Sequence, residues 1–298
     1  DLTTGSPMKL ILGFGIPLLF GMLFQQFYNM MDTIIVGKFL GVSALASVGA
    51  TGSINFMIIG FCMGVCNGFA IPVAQRFGAK DEHGMRKFVA NSVWLSIIFA
   101  VVMAVLVCVF CRQILELMNT PEDIIDGSYS YIFVIFLGIP ATYMYNLLSG
   151  IMRSLGDSKT PLYLLIFSSI LNIILDLLSI IVLKMGVAGA AWATVIAQAV
   201  SGFCCLGVIW KKFPILHVQR EEWQPDKLCI LNLCNMGIPM GLQYSITAIG
   251  SVIIQAAVNS LGSVAVASVA AAVKINMFLC CPYDAMGSTM ATYVGQNV

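Results

Sequence analysis

The sequence predicts an all-α polytopic membrane protein. Of its 298 residues, 59% are hydrophobic and 10% charged, against about 25% charge in an ordinary soluble domain. Mean hydropathy is +0.93. The apolar residues fall into eight separable stretches, each long enough to cross bilayer hydrocarbon as a helix.

The predicted spans are 9–36, 43–76, 87–111, 128–152, 161–183, 187–210, 228–259 and 264–296. Helices or closed barrels alone satisfy every backbone group in lipid, and the alternating strand pattern of a barrel is absent here. Span one follows DLTTGSPMKL, which lacks the pattern of a cleavable signal. Pro17, Pro72, Pro140 and Pro239 interrupt spans one, two, four and seven, and each frees a carbonyl and permits a kink.

Charge between the spans predicts orientation. Eleven of 15 Lys and Arg fall at one set of span ends: Lys9, Arg76, Lys80, Arg86, Lys87, Arg153, Lys159, Lys211, Lys212, Arg220 and Lys227. The alternate ends hold Lys38, Arg112 and Lys184, and Lys274 lies within span eight. The bias predicts a multi-pass plasma-membrane protein with a cytoplasmic N-terminus, Val298 on the same side and PEDIID (121–126) outside.

The same inventory narrows function. A net charge of +1 without a dense basic cluster argues against nucleic acid as a partner. Seven of the ten cysteines (Cys62, Cys66, Cys108, Cys204, Cys205, Cys280 and Cys281) lie inside apolar runs and read as small helix residues. CVFC at 108–111 has no second pair, so no metal site is expected there. His83 and His217 fall in loops, and neither HExxH nor GxSxG occurs, so the chain does not read as an enzyme.

An internal repeat organises the spans. LGVSALASVGATGSIN (40–55) matches LGSVAVASVAAAVKIN (261–276) at a shift of 221, and GIP at 15–17 recurs at 237–239. Gln75 likewise matches Gln296. A same-orientation repeat of this length holds six spans, which predicts two parallel six-helix lobes. The expected division is a first lobe at 1–211, a cytoplasmic linker at 212–227 and the opening two helices of a second lobe at 228–298. Eight transmembrane helices of twelve are therefore expected here, with four more beyond Val298.

Three carboxylates lie inside spans, each at a cost of about 2.5–3.5 kcal/mol at a helix centre. Asp32 ends a one-sided stripe of Gln25, Tyr28 and Asn29 on span one. Its closeness to the end of the span leaves simple hydration as the competing reading. Asn172 and Asp176 share a face of span five, in NIILDLLSI. Their oxygens are hard ligands suited to Na⁺, and the carboxylate could instead carry a proton. A structural helix–helix hydrogen bond, about 0.6–2 kcal/mol, does not cover the cost of an ionised group. Thr194 and Gln198 form a second i, i+4 polar pair on span six, and Asn146 lies near the end of span four. Asp284 follows Pro282, where contact with a cationic substrate competes with hydration or capping.

In order along the chain, GIPLLFGMLFQQFYNMMDTIIVGKFLG, NLLSGIMRSLGDSKTP, NIILDLLSI, GVAGAAWATVIAQ and ATYVGQN resemble the MATE (multidrug and toxic compound extrusion) transporters across essentially the whole chain. The combination of Asp32 with Asn172 and Asp176 resembles the DinF-like branch, and span seven has no carboxylate in the place where NorM-like members carry a glutamate. The resemblance implies a monomeric twelve-helix antiporter, embedded in a lipid bilayer, exporting small amphipathic or cationic compounds against Na⁺ or H⁺. It implies no resident cofactor. It places Asn146, Asn172, Asp176 and Thr194 with Asp32 in a first-lobe coupling site, possible Na⁺ ligands being Asp32, Asp176 and Asn172. Gln25, Tyr28, Asn29, Gln198 and Asp284 are the expected substrate-cavity residues. Pro17 is the expected hinge, a static kink being the competing reading. A flippase of lipid-linked substrates is the alternative function, disfavoured because Lys274 is the one basic residue read as intramembrane.

Overall fold

The computed structural model describes residues 2–118, 120–259 and 263–297. Eleven α-helices run through the described residues: α1 (Pro7–Leu40), α2 (Val42–Ala50), α3 (Gly52–Gly78), α4 (Glu82–Val109), α5 (Cys111–Leu117), α6 (Ile125–Leu137), α7 (Ile139–Ser154), α8 (Lys159–Leu177), α9 (Val187–Lys212), α10 (Lys227–Asn259) and α11 (Ser263–Asn297). Among the described residues, α1, α3, α4, α8 with its terminal turn, and α9 are five helices long and apolar enough to cross a membrane. The bent pair α6–α7 makes a sixth. Large apolar side chains on their outer faces, such as Phe20, Val101, Ile170 and Phe203, are exposed, as a lipid-facing surface requires.

Two predicted spans are not single helices. Span two breaks at Thr51, whose hydroxyl returns to the Val48 carbonyl at 2.7 Å. Span four bends by 46° between α6 and α7. Pro140 sits in the first turn of α7, where a missing N–H costs no helical bond. Gly138 stands at the bend because Val195 of α9 occupies the space a Cβ would need. Conversely, Pro17, Pro72, Pro239 and Pro282 all lie inside continuous helices. Span five ends irregularly: Leu178–Val182 form a π-helical turn directly after Asp176 and its helix. Such turns recur at functional sites because they re-aim adjacent side chains.

α3 is the most enclosed helix. Its buried face includes Cys62, Val65, Cys66, Phe69 and Val73, packed between α4, α7 and α10. The α3–α10 crossing is made by glycines. A Cβ on Gly64 would stand 2.5 Å from the Met240 carbonyl oxygen, and one on Gly68 would stand 2.5 Å from the Gly237 Cα. Small residues at such crossings let backbones meet, which is the main source of helix association in lipid. A second contact joins α1 to α11, where a Cβ on Gly15 would meet the Thr289 hydroxyl at 3.0 Å. Gly15 and Gly237 are equivalent under the internal repeat, as are Gly68 and Thr289, so the two crossings are copies of one packing solution. The repeat's own LGSVAVASV stretch begins at Leu261 and Gly262, outside the described residues.

All ten cysteines are free thiols. Between α9 and α10, a chain segment with a 3₁₀ turn (Pro214–Leu216) is fastened to α4. Glu222, 1% exposed, accepts from the Arg86 Nε at 2.9 and 3.0 Å and from the Gln219 backbone N–H at 2.8 Å, and lies 2.9 Å from the His83 ring. The Trp94 indole donates to the Trp223 carbonyl, and the Asp226 N–H donates to Asn91. Burial alone would raise the Glu222 pKa, but the Gln219 N–H and the Arg86 guanidinium together hold it below the usual carboxylate value of 4.5. A depressed carboxylate pKa contributes stability above the unfolded value and loses it as pH falls through the folded value. The clamp is therefore intact at neutral pH and fails in acid, below pH 4.5. Arg86→Met leaves the buried carboxylate with only the Gln219 N–H and the His83 ring beside it, and we expect a loss of about 2 kcal/mol, read as a lower melting temperature at pH 7. An unchanged melt would show that the clamp contributes nothing.

Candidate functional site

The site lies between α1, α6, α8 and α9. Helical spacing sets it up: Tyr28 and Asp32 are one turn apart on α1, as are Asn172 and Asp176 on α8, and Thr194 and Gln198 on α9. Thr194 ties the three helices together. Its hydroxyl accepts from Tyr28 at 3.3 Å and from the Asn172 amide at 3.2 Å, and donates to the Ala190 carbonyl at 3.1 Å. One N–H of the amide is thereby held by Thr194, and its oxygen has no hydrogen-bond partner.

What remains is a set of acceptors without donors. Asn172 is 1% exposed and Asp176 0%. Asn172 Oδ1, both carboxylate oxygens of Asp176, Asp32 Oδ1 and Gln198 Oε1 are buried without a hydrogen-bond partner. The Asp32 and Asp176 carboxyl groups are immediate neighbours. Two facing carboxylates away from water cannot both stay ionised and bare, because repulsion and lost hydration add. Oxygens arranged in this way suit a shared proton or a small hard cation.

The sequence expectations meet the structure unevenly. Asp32, Tyr28, Asn172, Asp176 and Thr194 come together on adjoining helices. Gln198 adds a buried oxygen one turn from Thr194. Asn146 does not reach Thr194 or Asn172 by a hydrogen bond: its amide donates to the Thr142 carbonyl of its own helix at 2.8 Å. Gln25 is half-buried and Asn29 exposed, further along the same helix. Asp284 stands apart on α11, exposed, with Tyr244 and Cys281 as its electrostatic neighbours. Pro17 lies within the first half of α1, in a helix continuous past Asp32.

Two residues were missed. Tyr131 of α6 is buried within electrostatic reach of Asp32, Tyr28 and Asp176. Its signal is faint, a single phenol in the apolar run YIFVIFL. Arg153, read as a charge at the cytoplasmic end of span four, lies in the last turn of α7, where it also donates to Asn67 of α3 at 3.2 Å and faces Tyr244 of α10. Lys274 is thus not the sole basic residue among the helices; its own side chain lies outside the described residues.

Fold and site together define a polytopic, all-helical membrane protein with an acid pair buried inside its helix bundle. The MatE family model matches residues 17–178, and the chain belongs to that family. The chain is 29% identical over its full length to the probable multidrug resistance protein YpnP of Bacillus subtilis, and covers 66% of that protein. It is 30% identical to the probable multidrug resistance protein YoeA of the same organism, over 96% of this chain and 63% of that one. A MOP superfamily transporter from Pyrococcus furiosus superposes with a TM-score of 0.92 at 26% identity, over 99% of this chain and 66% of its own. The chain therefore spans just under two thirds of the length of the curated relatives it matches.

Proposed function

We propose that this chain forms the ion-coupling part of a secondary antiporter that exports small amphipathic or cationic compounds against Na⁺ or H⁺. The carrying observation is the buried acid pair, whose oxygens and that of Asn172 have no hydrogen-bond partner and, among the described residues, no ion-pair partner. Kinship with proteins named for multidrug resistance supports the substrate class. The lobes are 1–211 and the unit that begins at 228, joined by 212–227 and working as a monomer with the N-terminus in the cytoplasm.

The proposed cycle uses this chain's groups as follows. With the site open to the outside, Asp32 and Asp176 take up Na⁺ or H⁺, with Asn172 as the third oxygen donor. Neutralising the pair removes the negative charge that attracts a cationic substrate, so substrate leaves outward. Tyr28, Thr194 and Asn172 convey the change of charge to α1, α8 and α9 at once, because one hydroxyl joins them. The glycine crossing of α3 with α10 holds the first lobe against the unit that begins at 228. Alternating access then proceeds by rocking of one lobe on the other.

The deciding experiment reconstitutes the full-length protein and imposes Na⁺ and pH gradients separately. Ethidium export driven by one gradient and abolished by its ionophore is the expected result. Export indifferent to both gradients would overturn the reading.

A further inference from the structure

A cavity of about 440 Å³ opens where the first turns of α1 and α8 meet the last turn of α9. Lys9, Lys159 and Lys212 line it, with Asp157 as its one acid, and Leu2, Leu10 and Phe14 are among its apolar residues. The three lysines do not play one role. Lys212 is committed: its ammonium holds Asp157 Oδ2 at 2.7 Å and the Thr160 hydroxyl at 2.8 Å. Asp157 in turn caps α8, accepting from the backbone N–H groups of Lys159 and Thr160 at 3.1 and 3.0 Å. The start of α8 is therefore already satisfied and attracts nothing by itself. Among the described residues, the Lys9 and Lys159 ammonium groups have no ion-pair partner.

The cavity's position decides between possible anions. It sits where charged helix ends give way to apolar spans, which is the depth of phospholipid headgroups. A Cβ on Gly13, in its wall, would meet nothing within 4 Å. From its mouth, exposed Leu12 and Ile16 continue along α1, and exposed Tyr163 and Phe167 along α8. A free phosphate would use the lysines and leave this apolar track bare, whereas a lipid uses both. Basic pockets between membrane helices recognise anionic headgroups by this combination.

We propose that this cavity binds an anionic phospholipid, with Lys9 and Lys159 on its phosphodiester and the acyl chains along α1 and α8. All of its walls come from the first lobe except Lys212, the first residue of the linker. A lipid seated there bridges α1 to α8, the two helices that carry Asp32 and Asp176.

The test uses the purified full-length protein, titrated in detergent with phosphatidylglycerol or phosphatidylcholine and read by native mass spectrometry. Phosphatidylcholine carries the same phosphodiester but adds a quaternary ammonium that cancels its charge and is repelled by the lysines; at about fivefold per lysine, phosphatidylglycerol should bind about 30-fold more tightly. Lys9→Gln/Lys159→Gln should erase that preference, and Lys184→Gln, at the opposite ends of the helices, should keep it. Millimolar inorganic phosphate should not displace the lipid. Equal binding of the two lipids, a preference that survives the double substitution, or displacement by phosphate would each overturn the proposal, the last by making this a free-anion site. Both lysines are exposed, so folding is not at stake.

Discussion

Asp176→Asn in the full-length protein abolishes gradient-driven export while expression and folding persist. The substitution is nearly isosteric, so packing around α8 is retained. It removes the one charge in a span whose neighbours supply only oxygens, and an amide can neither carry a coupling proton nor offset the charge of Na⁺. Losing a buried charged partner costs about 2–5 kcal/mol of binding, and about 3 kcal/mol already corresponds to more than a hundredfold loss of ion affinity. Stability should move the other way. Asp176 is fully buried with both oxygens unpartnered, so neutralising it removes a desolvation cost and the apo protein should melt no lower than wild type. Loss of export together with a retained or raised melting temperature is the expected pair of results. Undiminished export would sink the coupling assignment, and a collapsed melt would recast Asp176 as a structural residue.

Gly68→Leu breaks the α3–α10 crossing. Its Cβ would stand 2.5 Å from the Gly237 Cα and 2.7 Å from the Met236 carbonyl oxygen. Backbone cannot rotate out of the way as a side-chain tip can, so the helices must separate. Forcing extra carbons into a packed interior costs about 1–3 kcal/mol where side chains can yield. Backbone contact puts this site at the upper end or beyond, and helix association in lipid has no hydrophobic term to compensate. We expect aggregation on size exclusion or a melting temperature lowered by several degrees, whereas Gly13→Ala, facing open space, should behave as wild type. A Gly68→Leu protein that melts with the wild type would mean that α3 and α10 do not depend on this crossing.

Much of the site is readable in one dimension because its chemistry runs along helices. Asn172 with Asp176, and Thr194 with Gln198, are each one turn apart, so spacing alone puts each pair on one face. An acid in an otherwise apolar span is conspicuous for energetic reasons, and both coupling candidates were found that way. Asn146 shows the limit of resemblance. It lies at the end of span four as the family pattern implies, and one N–H of its amide is held by the Thr142 carbonyl of its own helix rather than by Thr194 or Asn172. Tyr131 shows the limit of polarity, since one phenol in an apolar run says nothing about which neighbours it will meet.

Helix breaks were legible in part. Proline marked interruption, yet four of the six prolines inside predicted spans sit within unbroken helices, and a fifth, Pro161, falls in the first turn of α8. The actual bend falls at Gly138, where Val195 of a different helix leaves no room for a side chain. That reason belongs to the neighbour, so local sequence cannot contain it. Arg153 is the same lesson in charge: counted as a charge at a span end, it lies in the last turn of α7 and bonds to Asn67 of α3.

By itself the sequence determined the membrane, the helices and the faces that had to avoid lipid, because transfer free energies and helical periodicity act residue by residue. Which faces meet was decided by the tertiary structure. Glycines at 64, 68 and 237 let two backbones touch. Thr194 drew Tyr28 and Asn172 onto one hydroxyl, and Asp32 was thereby set against Asp176. Such contacts depend on shape complementarity between segments far apart in the chain, and an acid pair exists as a pair only after they form.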